Sequence, residues 1–118
     1  MKEKTHAVIL TKVYDILLWI IPQLEKFPRS QRFLLGEKIE RLLLDVLDLI
    51  IRAVYTKDKT GPLAEANLTL ERLRFLIRLS KDLHYISLKK YEFLARSINE
   101  AGQMTGGWLK YAGKKAGT

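Results

Sequence analysis

The stretch "LGEKIERLLLDVLDLIIRAVY" (residues 35–55) decides the fold. At about 100° per residue, its aliphatic side chains cover an arc of roughly 200° of a helix, whereas a helix in a monomeric bundle needs a stripe only a little wider than about 100°. The aliphatic positions are Leu35, Ile39, Leu42, Leu43, Val46, Leu47, Leu49, Ile50, Ile51 and Val54. The stretch is therefore predicted to be a helix that meets neighbours on more than one side.

The next predicted helix repeats this pattern. One apolar stripe consists of Ala66, Leu70, Leu73 and Ile77, and a second stripe beside it consists of Leu68, Phe75, Leu76, Leu79 and Leu83. Two adjacent helices with apolar faces this wide have more apolar surface than the core of one bundle can bury. A contiguous exposed apolar patch of this kind marks an interaction site. We expect self-association or a permanent protein partner; the alternative is a tight monomer in which this helix pair is deeply buried.

Turn signals divide the chain into four helices. Phe27-Pro28 ends the first helix, and Pro28 is expected in the first turn of the second. The polar stretch "TKDKTGP" (residues 56–62) separates the second helix from the third, and Ser87 is a plausible N-cap for the fourth. The predicted helices span about 7–26, 28–55, 63–83 and 88–109, followed by a frayed basic tail at 110–118. Short connections predict a single all-α domain over 1–118, an antiparallel up-down four-helix bundle.

Composition narrows the possible functions. The 118 residues include no cysteine, which excludes disulfides, zinc-thiolate sites and cysteine nucleophiles. The net charge is +8, which favours polyanionic partners, although a solvated charged surface without a specific partner would have the same composition. The apolar run "ILLWII" (residues 16–21) is too short to span a bilayer and ends at Pro22. We expect a cytoplasmic protein with no membrane partner.

The sequence gives little support for catalysis. His6 and His84 are far apart, no metal-ligand spacing occurs, and no carboxylate pair is set apart for acid/base work. We therefore predict no enzyme activity, with no catalytic residues, metal site, cofactor or small-molecule substrate. One alternative is open: Arg78 and His84 resemble the Arg-x(4–6)-His motif of HEPN ribonucleases, although the usually polar position after the arginine is Leu79 here.

Basic side chains are the better lead to function. They are spread over the predicted third and fourth helices, the turn after Pro28 and the tail, and several are expected to pair with acids, for example Glu92 with Arg96. In a monomer this distribution predicts a weak, salt-sensitive phosphate site, and an oligomer would multiply it.

Three segments carry a resemblance to a known family: "KFPRSQRFLLGEKI" (residues 26–39), "ANLTLERLRFLIRLSKDL" (residues 66–83) and "INEAGQMTGGWLK" (residues 98–110). Together they resemble the Avd (accessory variability determinant) proteins of diversity-generating retroelements, and the similarity covers nearly the whole chain. Avd proteins belong to a wider group of four-helix bundles that includes proteins encoded in intervening sequences of ribosomal RNA genes. An RNA-associated bundle without a polymerase partner is therefore an alternative.

The resemblance implies a concrete function. It implies a non-catalytic accessory protein that forms a homopentameric barrel and binds the reverse transcriptase of the element. It also implies binding of nucleic acid, RNA or DNA, during mutagenic copying of a template RNA into cDNA. The candidate binding residues inside the matching segments are Arg29, Arg32, Arg72, Arg74, Arg78, Lys81 and Lys110. Lys89, Lys90 and Arg96 are added on charge alone.

Overall fold

The computed structural model describes residues 3–116, and this part of the chain is helical throughout, without a strand. The elements are α1 (Glu3–Leu24), α2 (Arg29–Gln31), a π-helical turn (Arg32–Gly36), α3 (Glu37–Tyr55), α4 (Thr60–Asp82) and α5 (Leu88–Ala116). Around the bundle, α1 packs on α3, α3 on α4, α4 on α5, and α5 on α1. The predicted all-α four-helix bundle is confirmed.

The core runs along the axis of the bundle, and every long helix contributes to it. It is built from aliphatic side chains, and Trp108 closes it near the end of α5. The fully buried members include Ile9, Ile20, Ile39, Leu43, Ile50, Leu63, Leu70, Leu73, Ile77, Leu94 and Ile98. These side chains form one contiguous core that extends through all the long helices.

In the connection between α1 and α3, the end of α1 and the position of Pro28 differ from the prediction. Helix α1 ends at Leu24, two residues before its predicted end, and Pro22 lies in its last turn. Pro28 precedes α2 with extended backbone angles (φ −51°, ψ 142°), and its carbonyl accepts hydrogen bonds from the N–H groups of Gln31 and Arg32. The prediction of Pro28 within the first helical turn was therefore wrong by one residue. The π-helical turn that follows carries Phe33 and Leu34 to the surface.

Helix α4 begins at Thr60, earlier than the predicted residue 63. Asp58 Oδ1 accepts hydrogen bonds from Thr60 N–H at 3.1 Å and from Thr60 Oγ1 at 2.6 Å. Both bonds favour the carboxylate and hold the pKa of Asp58 below its ordinary value of 3.8. Gly61 and Pro62 thus lie inside the first turn, where the missing N–H of proline needs no partner.

Helix α4 ends in a Schellman motif that has histidine where glycine is usual. His84 has a φ of 64°, its N–H donates to Lys81 O at 2.9 Å, and Tyr85 N–H donates to Ser80 O at 2.8 Å. Histidine is one of the few non-glycine residues enriched in this left-handed region. The position of His84 is thus explained by helix termination.

Helix α5 confirms one prediction and corrects another. Ser87 Oγ accepts a hydrogen bond from Lys90 N–H at 3.2 Å, so Ser87 is the N-cap. The helix continues to Ala116, so the predicted frayed tail was wrong for 110–116, and residues 117–118 lie outside the described chain. The helix continues because Trp108 is buried and both Leu109 and Ala112 pack against the core.

One helix in the described chain, over Ala7–Leu24, is long and apolar enough by length and composition to cross a membrane. A third of this window is buried inside the bundle, where Ile9, Val13 and Ile20 are core residues. The apolar composition of α1 is also what a core helix requires.

Candidate nucleic-acid and partner interfaces

The four candidate cations on α4 all have carboxylate partners on the same helix. The pairs are Arg72–Glu65 at 3.9 Å, Arg74–Glu71, Arg78–Asp82 at 3.9 Å and Lys81–Asp82 at 3.2 Å. Exposed pairs of this kind contribute little to stability, but they neutralise much of the charge that a phosphate would meet. The polar face of α4 is therefore a weaker anion site than its arginines alone indicate.

Arg74 is held further by α5. Its Nε donates to Asn99 Oδ1 at 2.9 Å, and its guanidinium lies over Gly102. A Cβ atom at position 102 would lie 2.7 Å from Arg74 Nη2, so a larger residue there would displace the arginine. Gly102 therefore lets α5 approach Arg74 closely, and Arg74 joins the two helices.

The remaining candidate cations are not paired with acids within the described chain. Arg29, Arg32, Lys89, Arg96 and Lys110 form no ion pair there, and Lys90 Nζ donates to Gln23 Oε1 at 2.8 Å. The expected Glu92–Arg96 pair is absent from the described ion pairs. These side chains are the positive charges that the fold leaves available.

The unpaired cations gather in two places. Arg29, Arg32, Lys89 and Lys90 lie at the end of the bundle where α1 leads into α3 and α4 leads into α5. Lys89, Arg96 and Lys110 share one exposed side of α5, which we call the α5 stripe. At 1.5 Å per residue the stripe extends over about 30 Å. The structure thus separates the candidate residues into a paired set on α4 and an unpaired set elsewhere.

Helix α4 also carries apolar side chains on its outer surface. Leu68, Phe75, Leu79 and Leu83 are exposed at helical spacing with Arg72 among them, and we call this set the α4 stripe. Phe75 is 63% exposed in the single chain. The predicted surplus of apolar surface is therefore present, and it lies on the side of α4 away from the core.

A second apolar surface lies between α1 and α3. A groove of about 490 Å³ is lined by Ile21, Leu24, Glu25, Arg32, Gly36, Glu37, Glu40, Arg41 and Leu44, and we call it the α1–α3 groove. Glu37 pairs with Arg41 at 2.7 Å, whereas Glu25 and Glu40 form no ion pair in the described chain. The groove therefore combines apolar walls with three carboxylates and two arginines, which leaves a small excess of negative charge.

Within the described chain no group of three metal-ligating side chains comes together. His84 lies in an open depression at the α4–α5 turn with Lys81, Asp82 and Ser87, and Arg78 is not part of its lining. Arg78 Nε lies 3.9 Å from Asp82 Oδ2, and Asp82 lines the same depression as His84.

Two features of the structure were missed by sequence reasoning. The Lys59 ammonium donates to Ala53 O at 2.8 Å and to Thr56 O at 2.9 Å, capping the end of α3, and lies 6.0 Å from the ring centroid of Trp108. Trp19 of α1 and Phe93 of α5 form an aromatic pair with centroids 4.8 Å apart. A lysine after a helix C-terminus is a usable signal for the cap, but the aromatic pair has no local signal.

The described part of the chain is a helical bundle with unpaired surface cations and exposed apolar faces. The chain belongs to the bAvd-like family, because the model of that family matches residues 7–112. No curated protein matches the sequence. The Avd-like family is generally an accessory, non-catalytic one.

Proposed function

We propose that the protein is a cytoplasmic accessory subunit of a diversity-generating retroelement. In this role it binds the reverse transcriptase and the template RNA or its cDNA, and it supports mutagenic reverse transcription without performing catalysis itself. The observation that carries the proposal is the family match over 7–112, which covers nearly the whole bundle. The net charge of +8 supports a polyanionic partner.

Nucleic acid is proposed to bind through the unpaired cations. Lys89, Arg96 and Lys110 follow one side of a single helix over about 30 Å, so their charges can meet several phosphates spaced along one strand. Arg29 adds to the positive surface at the end of the bundle where Lys89 lies, whereas Arg32 lines the α1–α3 groove. The cations of α4 contribute less, because the neighbouring carboxylates already compensate them.

Replacing Lys89, Arg96 and Lys110 together by glutamine is expected to weaken RNA binding and to lower its salt dependence. Each lost phosphate contact removes about 0.7 from the slope of log affinity against log salt for a single strand, so the slope should fall by about 2. Fluorescence anisotropy over a range of salt concentrations measures both quantities.

The matched control replaces Arg74, Arg78 and Lys81, which pair with acids on α4 and lie outside the α4 stripe, by glutamine, and it changes the net charge by the same amount. We expect this variant to keep most of the affinity and most of the salt slope. If both triple variants lose affinity and slope equally, binding depends on overall charge, and the α5 stripe is not the interface.

Self-assembly is proposed to join the α4 stripe of one copy to the α1–α3 groove of the next. The stripe presents Phe75 and Leu79 around Arg72, and the groove presents apolar walls around the unpaired Glu40. The apolar side chains of the stripe therefore match the apolar walls of the groove, and Arg72 of the stripe matches Glu40 of the groove. Because the two surfaces differ, the contact is heterologous, and a heterologous contact whose rotation closes produces a ring. The family resemblance suggests a pentamer.

Binding of a reverse transcriptase is the property that distinguishes the proposed function from the main alternative. An RNA-associated bundle without a polymerase partner would have the same fold and charge. The proposed function requires a reverse transcriptase and a template repeat next to the gene, and a stable complex between the two purified proteins. RNA binding without either would favour the alternative.

A further inference from the structure

A narrow groove lies between α1 and α5, on the side of the bundle away from α3. Its volume is about 270 Å³, and its floor is formed by the buried side chains of Ile16 and Leu94. Trp19 and Phe93 line it, with ring planes inclined at 48° to each other. Phe93 is 46% exposed. We call this feature the α1–α5 groove, and an aromatic surface of this kind is open to a flat ligand.

The charges around the α1–α5 groove are unevenly compensated. Lys12 Nζ and Glu100 Oε2 form an ion pair at 3.0 Å across the groove, joining α1 to α5. Arg96 also lines the groove and forms no ion pair in the described chain. Asp15, on the α1 side, would repel a phosphate. An anionic group is therefore favoured at Arg96, on the α5 side.

We propose that the α1–α5 groove holds one unstacked base of a single-stranded nucleic acid, with the adjacent phosphate on Arg96. The inference rests on the proposed function and names the form of nucleic acid that this surface selects. Single-strand sites combine aromatic faces, on which bases stack, with a basic path for the backbone. Here Trp19 and Phe93 supply the aromatic faces, and Arg96 belongs to both the groove and the α5 stripe.

The position of the groove fits a single strand better than the alternatives. A duplex keeps its bases stacked inside and could reach only the α5 stripe. A second copy of the chain is proposed to occupy the α4 stripe and the α1–α3 groove, which leaves the α1–α5 groove open in the assembly. An apolar peptide side chain would fill the groove beside Trp19 and Phe93, but it would leave Arg96 without an anionic partner.

The intrinsic fluorescence of the full-length protein tests the proposal. The chain has two tryptophans, and Trp108 is buried, so a change caused by a ligand at this surface reports Trp19. Single-stranded oligoadenylate is expected to quench the emission, and a duplex RNA of the same length is expected to leave it nearly unchanged. In Trp19→Phe the quenching should disappear, since the remaining indole is in the core.

Affinity gives a second, independent measurement. Phe93→Ala should weaken binding of the single strand by about fivefold or more, the range for loss of one stacked base, and should leave duplex binding unchanged. Tyr55→Ala removes an exposed aromatic ring remote from the groove and serves as the matched control.

The results separate failure of this proposal from failure of the proposed function. Strong binding of the single strand without Trp19 quenching, and with full affinity in Phe93→Ala, would overturn the base site and leave nucleic-acid binding intact. Quenching by an apolar peptide but not by oligoadenylate would overturn it in favour of a protein ligand. Absence of binding to either nucleic acid would overturn both proposals.

Discussion

Phe75→Glu is expected to convert the assembled protein into single folded chains. The substitution places a charge at the centre of the α4 stripe, on a side chain that is already 63% exposed and contributes nothing to the fully buried core. Removal of a buried aromatic side chain from the centre of an interface commonly weakens the free energy of association by about 2 kcal/mol or more. An unpaired charge buried in its place weakens association further. The molar mass in solution, measured by light scattering, should fall to that of one chain, while the helical circular dichroism stays unchanged.

Arg78→Glu is the matched control for this experiment. It introduces the same residue one turn further along α4, on the polar face beside Asp82 and outside the α4 stripe. The mass of this variant should equal that of the wild type. An unchanged mass for Phe75→Glu, or equal dissociation in both variants, would remove the α4 stripe from the interface.

Trp108→Ala is expected to lower the free energy of unfolding by about 3–5 kcal/mol, the usual range for a buried tryptophan. Trp108 is 1% exposed, and its ring lies beneath the Lys59 ammonium that caps α3. Loss of the ring therefore opens a cavity in the core and removes the cation–π contact between the Trp108 ring and the Lys59 ammonium. Urea denaturation followed by circular dichroism measures the change.

Tyr111→Ala, on the same helix, is the control for Trp108. Tyr111 is exposed, so its loss should change the free energy of unfolding by no more than about 0.5 kcal/mol. Equal losses in the two variants would mean that the C-terminal part of α5 is not anchored to the core through Trp108.

The fold was predictable because its helices have long, regular apolar patterns. Ile39, Leu43, Val46 and Ile50 recur at helical spacing, and all four are buried. The ends of the helices were harder to predict from the sequence, because tertiary contacts determine them. Helix α5, for example, continues past Leu109 because Trp108 and Ala112 pack on the bundle. The π-helical turn after Gln31 has no distinct sequence signal.

The candidate site was only partly predictable. The sequence identified the cations, and the ion pair between Arg78 and Asp82 could be expected from their spacing of one helical turn. The bond between Arg74 and Asn99, and the contact between Trp19 and Phe93, join residues far apart in the chain, so only the packing of the helices reveals them. The ion pairs within α4 could therefore be predicted from spacing, whereas the contacts between helices could not.

The central claim is that this chain acts as an assembled partner of a reverse transcriptase. The most direct test is the molar mass of the wild-type protein in solution, measured alone and with the reverse transcriptase from the same element. We predict several copies per particle alone, and a single heavier complex that retains RNA when the polymerase is added. A monomer at every concentration, unaffected by the polymerase, would contradict the claim.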